Sequence, residues 1–251
     1  MAKQSGLGDR LYYGGHDIAG DIGSLGRIGG GPAALDVTDI TQEGHSRIGG
    51  RFDAEMSFTS YFNPAPGRAH EVFGALPTGH QVLTYLRGTA LGAAGAGLIA
   101  KQLGYDGTRA QDGGYTFAIA AQASDGTGME WGQQLTPGAR TDTGAATGAS
   151  VDLGSASPGA FGLVTYLQVL DFTGTDATVK VQQSSDAGAG DPWADITGAA
   201  FTQVTGRTAE RIATAAIDIE RHLRVVTTTA GGFTSLRFVV IAVRYPVPRE
   251  F

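Results

Sequence analysis

Polar and apolar residues alternate most regularly over residues 51–62, RFDAEMSFTSYF. Phe52, Ala54, Met56, Phe58 and Phe62 fall on one side of a period-2 pattern, with Ser60 as the interruption; Asp53, Glu55, Ser57, Thr59 and Tyr61 fall on the other. Successive side chains of a strand point to opposite faces, so the pattern predicts a β-strand with one dry face and one wet, acidic face. At ~3.3 Å per residue it reaches about 40 Å, about twice an ordinary strand. A strand of that length belongs to a large sheet, or to one completed by a neighbouring subunit.

The flanking segments read as follows. Residues 1–32 are broken by glycine before any helix could propagate, as in LYYGGHDIAGDIGSLGRIGGG, and are expected to form an arm or a set of short strands; residues 5–32 are expected to order, as an arm, only against a neighbouring subunit or ring. Residues 34–41 alternate as a strand and lead into a loop ending at Gly50. After the long strand, Asn63-Pro64-Ala65-Pro66-Gly67 stops pairing, because proline cannot donate to a ladder. A short helix is expected over residues 68–76, where Val72, Phe73 and Leu76 share helical spacing. Strands follow at 82–86, 89–100, 115–124 and 129–135. Gly88, Gly92, Gly95 and Gly97 punctuate the 89–100 tract, each costing a helix ~1 kcal/mol, and favour strand there.

Residues 136–159 lack aromatics and are rich in Gly, Ala, Ser and Thr, which reads as an exposed linker. Beyond it, strands are expected at 161–172, 178–184, 213–219, 223–229 and 235–244, spaced as in an antiparallel sandwich or jelly roll. The predicted class is therefore all-β. An N-terminal β-sandwich or barrel with long strands and one short helix occupies 1–145, a linker 146–159, and a C-terminal antiparallel β-sandwich 160–251.

Composition narrows the function classes. Forty glycines without a period of three fit many short strands joined by tight turns. With no cysteine, disulfide, zinc-thiolate and thiol-nucleophile schemes all fall away. The net charge of −6 opposes a surface that grips nucleic acid, since phosphate binding needs clustered Lys and Arg, although an acidic surface would let nucleic acid pass. Neither half is basic: residues 1–150 carry 10 basic and 14 acidic side chains, residues 151–251 carry 8 and 10. No apolar run reaches the ~18 residues of a membrane span, and the first ten residues lack a signal-peptide core, so a soluble chain without membrane insertion is expected.

Chemical motifs are sparse. Gly95-Ala96-Gly97-Leu98-Ile99-Ala100 matches a dinucleotide fingerprint formally, but the Asp106-Gly107 turn follows too soon for the helix that a Rossmann unit requires. A small-residue strand is the better reading, and no cofactor is expected. His16, Asp17 and Asp21 form the one local cluster suited to a cation, for which surface-turn polarity is the simpler account. Asp53 and Glu55 could imitate an acid/base pair, yet carboxylates two apart on an exposed strand more often make an acidic surface. No catalytic or metal-binding residues are assigned.

In the second half, residues 179–186, 193–195 and 221–225 resemble the strand, turn, Trp and R-x-L-R-V run of carbohydrate-binding-like jelly rolls. That makes Trp193 a candidate to stack on a sugar, against burial at a sandwich edge.

The organisation as a whole resembles the major tail tube proteins of long-tailed, siphovirus-type bacteriophages. The matching runs are LYYGGHDIAGDIGSLGRIGGGPAALDVTDI, RFDAEMSFTSYF, GRAHEVFGAL and DGGYTFAIAAQAS, followed by a C-terminal β-sandwich. The resemblance implies a virion protein, assembled in the host cytoplasm, that forms hexameric rings stacked into a tube around a lumen for double-stranded DNA. It also implies contacts with tape measure and terminator proteins, no enzymatic activity, and a sandwich decorating the outside. On this reading Asp53 and Glu55 face the lumen. A carbohydrate-binding, adhesion or capsid decoration protein of the virion is the alternative, and a glycan hydrolase is disfavoured because nothing supplies its acids.

Overall fold

A computed structural model describes residues 5–159 and 162–244. In chain order the strands are β1 (Arg10–Tyr13), β2 (His16–Asp17), β3 (Ile22–Asp36), β4 (Arg47–Tyr61), β5 (Gln81–Leu86), β6 (Ala94–Arg109), β7 (Tyr115–Ala123), β8 (Glu130–Gln134) and β9 (Arg140–Asp142). They continue as β10 (Ala146–Thr147), β11 (Val151–Asp152), β12 (Leu163–Gly174), β13 (Thr178–Ser184), β14 (Ala194–Ala200), β15 (Thr208–Thr214), β16 (His222–Thr228) and β17 (Phe233–Arg244). One short α-helix, α1 (Ala69–Gly74), lies between β4 and β5. The fold is all-β with antiparallel pairing, as the alternation and turn spacing predict.

Two compact units share the chain. Among the described residues, the first comprises 5–20, Val82–Gly97, 130–159 and 162–244; the second comprises Asp21–Gln81 and Leu98–Met129. The first unit is a two-sheet sandwich. One sheet runs β15-β12-β17-β8 and continues through the start of β6 to β5, β1 and β2; the other runs β10-β16-β13-β14 with β11 also on β16. Leu163, Leu167 and Val169 of β12 and Phe238 and Val240 of β17 pack with Val179, Val181, Leu223 and Val225 of the opposing sheet. These apolar positions alternate along each strand and supply the hydrophobic driving force for closure.

The N-terminal expectation needs correction. Residues 10–17 form the short strands β1 and β2, one of the two forms expected, but not as an arm awaiting a neighbour: β1 pairs with β5, and Leu11, Tyr12 and Tyr13 are all buried. Just beyond them, the Gly15 amide donates to the buried Gln168 side chain at 2.7 Å. Three successive large apolar residues are too few to nucleate a helix but enough to fill a sheet position.

The buried tyrosines have a consequence at high pH. Burial, assisted by Asp17, pushes the Tyr12 phenol from 10.0 up to about 12, and burial alone raises Tyr13. A raised folded-state pKa means that the native state holds its proton longer, so this stability is complete below pH ~10 and is lost as pH rises toward ~12. The first unit is expected to unfold in that window, followed by near-ultraviolet circular dichroism. Native spectra persisting with both phenols ionised would contradict the burial.

The linker expectation is corrected as well. Within residues 136–159, β9 pairs with β17, and β10 and β11 both pair with β16, so the tract is woven into the first unit. Small residues such as Ala146, opposite Thr227, form short strands at the sheet edge, and composition alone could not distinguish that use from flexibility. A protease of broad specificity is therefore expected to cut first in the exposed turn between β3 and β4, at residues 37–46, and to spare 136–159. Earlier cleavage of the native protein within 136–159 would rule out the pairing.

Other boundaries moved slightly. Of the strand expected at 213–219 only residues 213–214 lie in a strand, β15, which covers Thr208–Thr214 in register with β12; β14 was not anticipated. The strand expected at 34–41 ends at Asp36, where Asp36 and Asp39 accept hydrogen bonds from the Thr38 and Thr41 amides and turn the chain.

Candidate assembly surface

The second unit is built on the long strand. β4 pairs on one side with β3 and on the other with β7, which pairs with the later part of β6. Ala54, Met56, Phe58 and Ser60 of β4 are buried on one face, together with Phe117, Ile119 and Ala121 of β7. Ser60, which breaks the apolar pattern, is therefore on the dry face. Helix α1 contributes to this core through Ala69 and Phe73, and the Phe73 ring lies 5.3 Å from that of Phe58.

The helix is fixed by a residue far away in sequence. The Asp21 carboxylate accepts hydrogen bonds from the Ala69 amide at 3.1 Å, from Arg68 at 2.7 Å and from Asn63 at 2.8 Å. An anion at a helix start satisfies otherwise unpaired amides. No local signal announces this cap, because its donor set is assembled by tertiary structure.

The opposite, wet face is shallow and poor in large side chains. Direct cross-strand pairs place Ser24, Thr59, Ala118 and Asp106 in one row, and Glu55, Gln122 and Lys101 in another. Gly29 and Gly31 lie opposite Glu55 and Asp53. A shallow groove of about 240 Å³ runs here beside Gly26, Ser57, Gly104 and Ala120. The glycines of β3 also serve close approach: a Cβ on Gly30 would come within 2.1 Å of the Asp53 carbonyl oxygen.

Asp53 and Glu55 share this face, as the alternation predicts, but they are not its only charges. Arg27 lies 3.8 Å from Glu55, and period-2 spacing puts Arg51 on the same side. Lys101 joins them through β6. With Asp53, Glu55 and Asp106 against Arg27, Arg51 and Lys101, the face is balanced in charge and not simply acidic. The cations come from other strands or from the end of β4, and only the register reveals them.

The other candidate residues have separate partners. His16 Nδ1 is 3.0 Å from an Arg207 nitrogen, Arg237 donates to Asp17 at 2.9 Å, and Asp21 caps α1. Among the described residues no group of three His, Asp or Glu side chains is placed to hold a metal ion. Trp193 is half-buried, with the Arg224 guanidinium 4.2 Å from its ring centroid. Arg224 also donates to the Gln182 side chain at 2.9 and 2.7 Å, so a sugar stacking on that ring face would have to displace an anchored cation.

No protein-family model and no curated protein sequence matches the chain. Among solved structures it is similar to a chain of the virion of a native gene transfer agent particle, with 15% identity and a TM-score of 0.39, covering 51% of this chain and 98% of that one. It is also similar to the SPP1 Dit (gp 19.1) protein, a hub adsorption apparatus component of phages infecting Gram-positive hosts. That match has 9% identity and a TM-score of 0.35, over 94% of this chain and 99% of that one. A chain of the phage p2 baseplate, in its activated conformation with Sr, gives 9% identity and a TM-score of 0.35 over 94% and 98%.

Proposed function

We propose that the chain is a structural, non-enzymatic protein of a phage virion, and that it polymerises as stacked, hexameric rings forming the tail tube through which DNA is delivered. The observation that carries this reading is the second unit's sheet. Two paired fifteen-residue strands, β3 and β4, hold a face of small and polar side chains with balanced charge. Such a face, repeated around a ring, would line a bore that presents neither apolar grip nor a basic field to a passing phosphate backbone. The sequence resemblance to tail tube proteins points the same way. In this reading the partners are further copies of the chain and the tape measure and terminator proteins of the tail, and Asp53 and Glu55 lie at the bore.

Electron microscopy of the purified protein tests the proposal. Hollow tubes of uniform diameter are expected on concentration; discrete particles that never lengthen would reject it.

A further inference from the structure

The second unit carries exposed apolar side chains at both ends of β4. At the N-terminal end, the hairpin formed with β3 exposes Leu35, Val37 and Ile48, and at its turn Ile40 is fully exposed. The turn that presents Ile40 is well tied: Asp39 accepts the Thr41 amide at 2.8 Å, and Asp36 accepts the Thr38 amide at 3.0 Å and faces His45 Nδ1 at 3.0 Å. An apolar side chain held out on an ordered turn has already lost much of the entropy that binding would cost.

At the C-terminal end of β4, Phe62 and Tyr115 are each 41% exposed. Their rings lie 5.3 Å apart and rest on Phe117 and His70, with Tyr105 stacked on Phe117 at 4.1 Å. Thirteen residues separate Ile48 from Tyr61, about 43 Å at strand rise, so the hairpin turn and the aromatic cluster lie at opposite ends of one paired strand. Within one molecule they cannot meet along it.

Charge is arranged to match. Asp39 and Glu43 flank Ile40 on the turn. At the other end Arg109, directly across from Tyr115, makes no ion pair among the described residues. Asp112, three residues on in the same turn, accepts the Gly114 amide at 2.9 Å.

We infer that the β3–β4 turn of one copy, led by Ile40, docks on the Phe62–Tyr115 aromatic cluster of the next copy, with Asp39 and Glu43 beside Arg109. The inference rests on the self-assembly reading and adds the two surfaces that meet. Because the surfaces differ, the contact is head-to-tail, and repetition yields a ring or an open stack, not a closed pair.

The cysteine-free chain allows a direct test. Ile40→Cys and Tyr115→Cys are made as separate single variants and mixed under oxidising conditions. A disulfide-linked dimer is expected from the mixture and at no more than trace level from either variant alone. Ile40→Asp should abolish polymerisation without shifting thermal unfolding, since the side chain touches nothing in its own molecule. Dimers from Ile40→Cys alone would mean turn-to-turn contact and overturn the inference. Hollow tubes of the unmodified chain with no mixed disulfide would overturn it while leaving the tail-tube reading intact. A mixed disulfide without tubes would support the docking and reject that reading, and neither product would reject both.

Discussion

Replacing Arg211 with Ala should lower the free energy of unfolding by about 3–5 kcal/mol, the usual cost of stranding one partner of a buried ion pair. In the first unit Arg211 donates to both Glu130 carboxylate oxygens, at 2.7 and 2.8 Å, and Glu130 is 1% exposed. The Tyr166 hydroxyl also donates to Glu130, and its ring lies 5.8 Å from the Arg211 guanidinium. Burial works against the Arg211 charge, but the bonds to Glu130 more than offset it and hold the guanidinium above its ordinary range. Burial and the neighbouring carboxylate likewise push the Tyr166 phenol up.

Removing Arg211 leaves a carboxylate with little access to water. Removing all three polar groups, through Glu130→Leu, Arg211→Met and Tyr166→Phe, leaves none uncompensated and should cost less than the single change. Urea unfolding midpoints decide the matter. Equal losses in the single and triple variants would show that the network contributes through shape alone.

The contrast between this network and the long strand shows what the sequence could reveal. Local alternation was sufficient for β4, β7, β13 and β17, because each buries one face or both against a partner and its own residues report that burial. The strand reading of Gly95–Ala100 held for a related reason: Gly97 lies against the Tyr166 ring, where a Cβ would come within 2.4 Å. β3 was hidden because its glycines carry no side-chain pattern, although they permit the tight pairing with β4. β9, β10 and β11 were hidden because two or three residues contain too little periodicity to read. The interleaving of the two units is a property of topology: Arg211 and Glu130 lie 81 residues apart, and Asp21 caps a helix 48 residues downstream. Similarly, Asp53 and Glu55 were legible as a pair, whereas the cations that balance them depend on which strands lie beside β4.

That balance sharpens the expected effect of replacing Asp53 and Glu55 together by Lys. On the wet face the change turns three cations against three anions into five cations against Asp106. The dry face, Ala54, Met56 and Phe58, is untouched, and alternation keeps the new side chains in solvent, so folding and tube formation should be retained. Asp53 is exposed, and among the described residues Glu55's only ion pair is the 3.8 Å contact with Arg27, which contributes little to stability. If this face lines the bore, each subunit added to the tube contributes the same basic patch, and DNA that passed without adhesion should now be held. The hold should be electrostatic. A site engaging ~6–10 phosphates loses about 10³–10⁵ in affinity between ~50 and ~200 mM salt. Linear double-stranded DNA should therefore co-sediment with variant tubes at the lower salt and leave them at the higher, while unmodified tubes retain none at either. Particles reconstituted with the variant should eject DNA slowly or incompletely at low salt and recover as salt is raised. Variant tubes that assemble normally yet neither retain DNA nor slow its ejection would place Asp53 and Glu55 away from the bore.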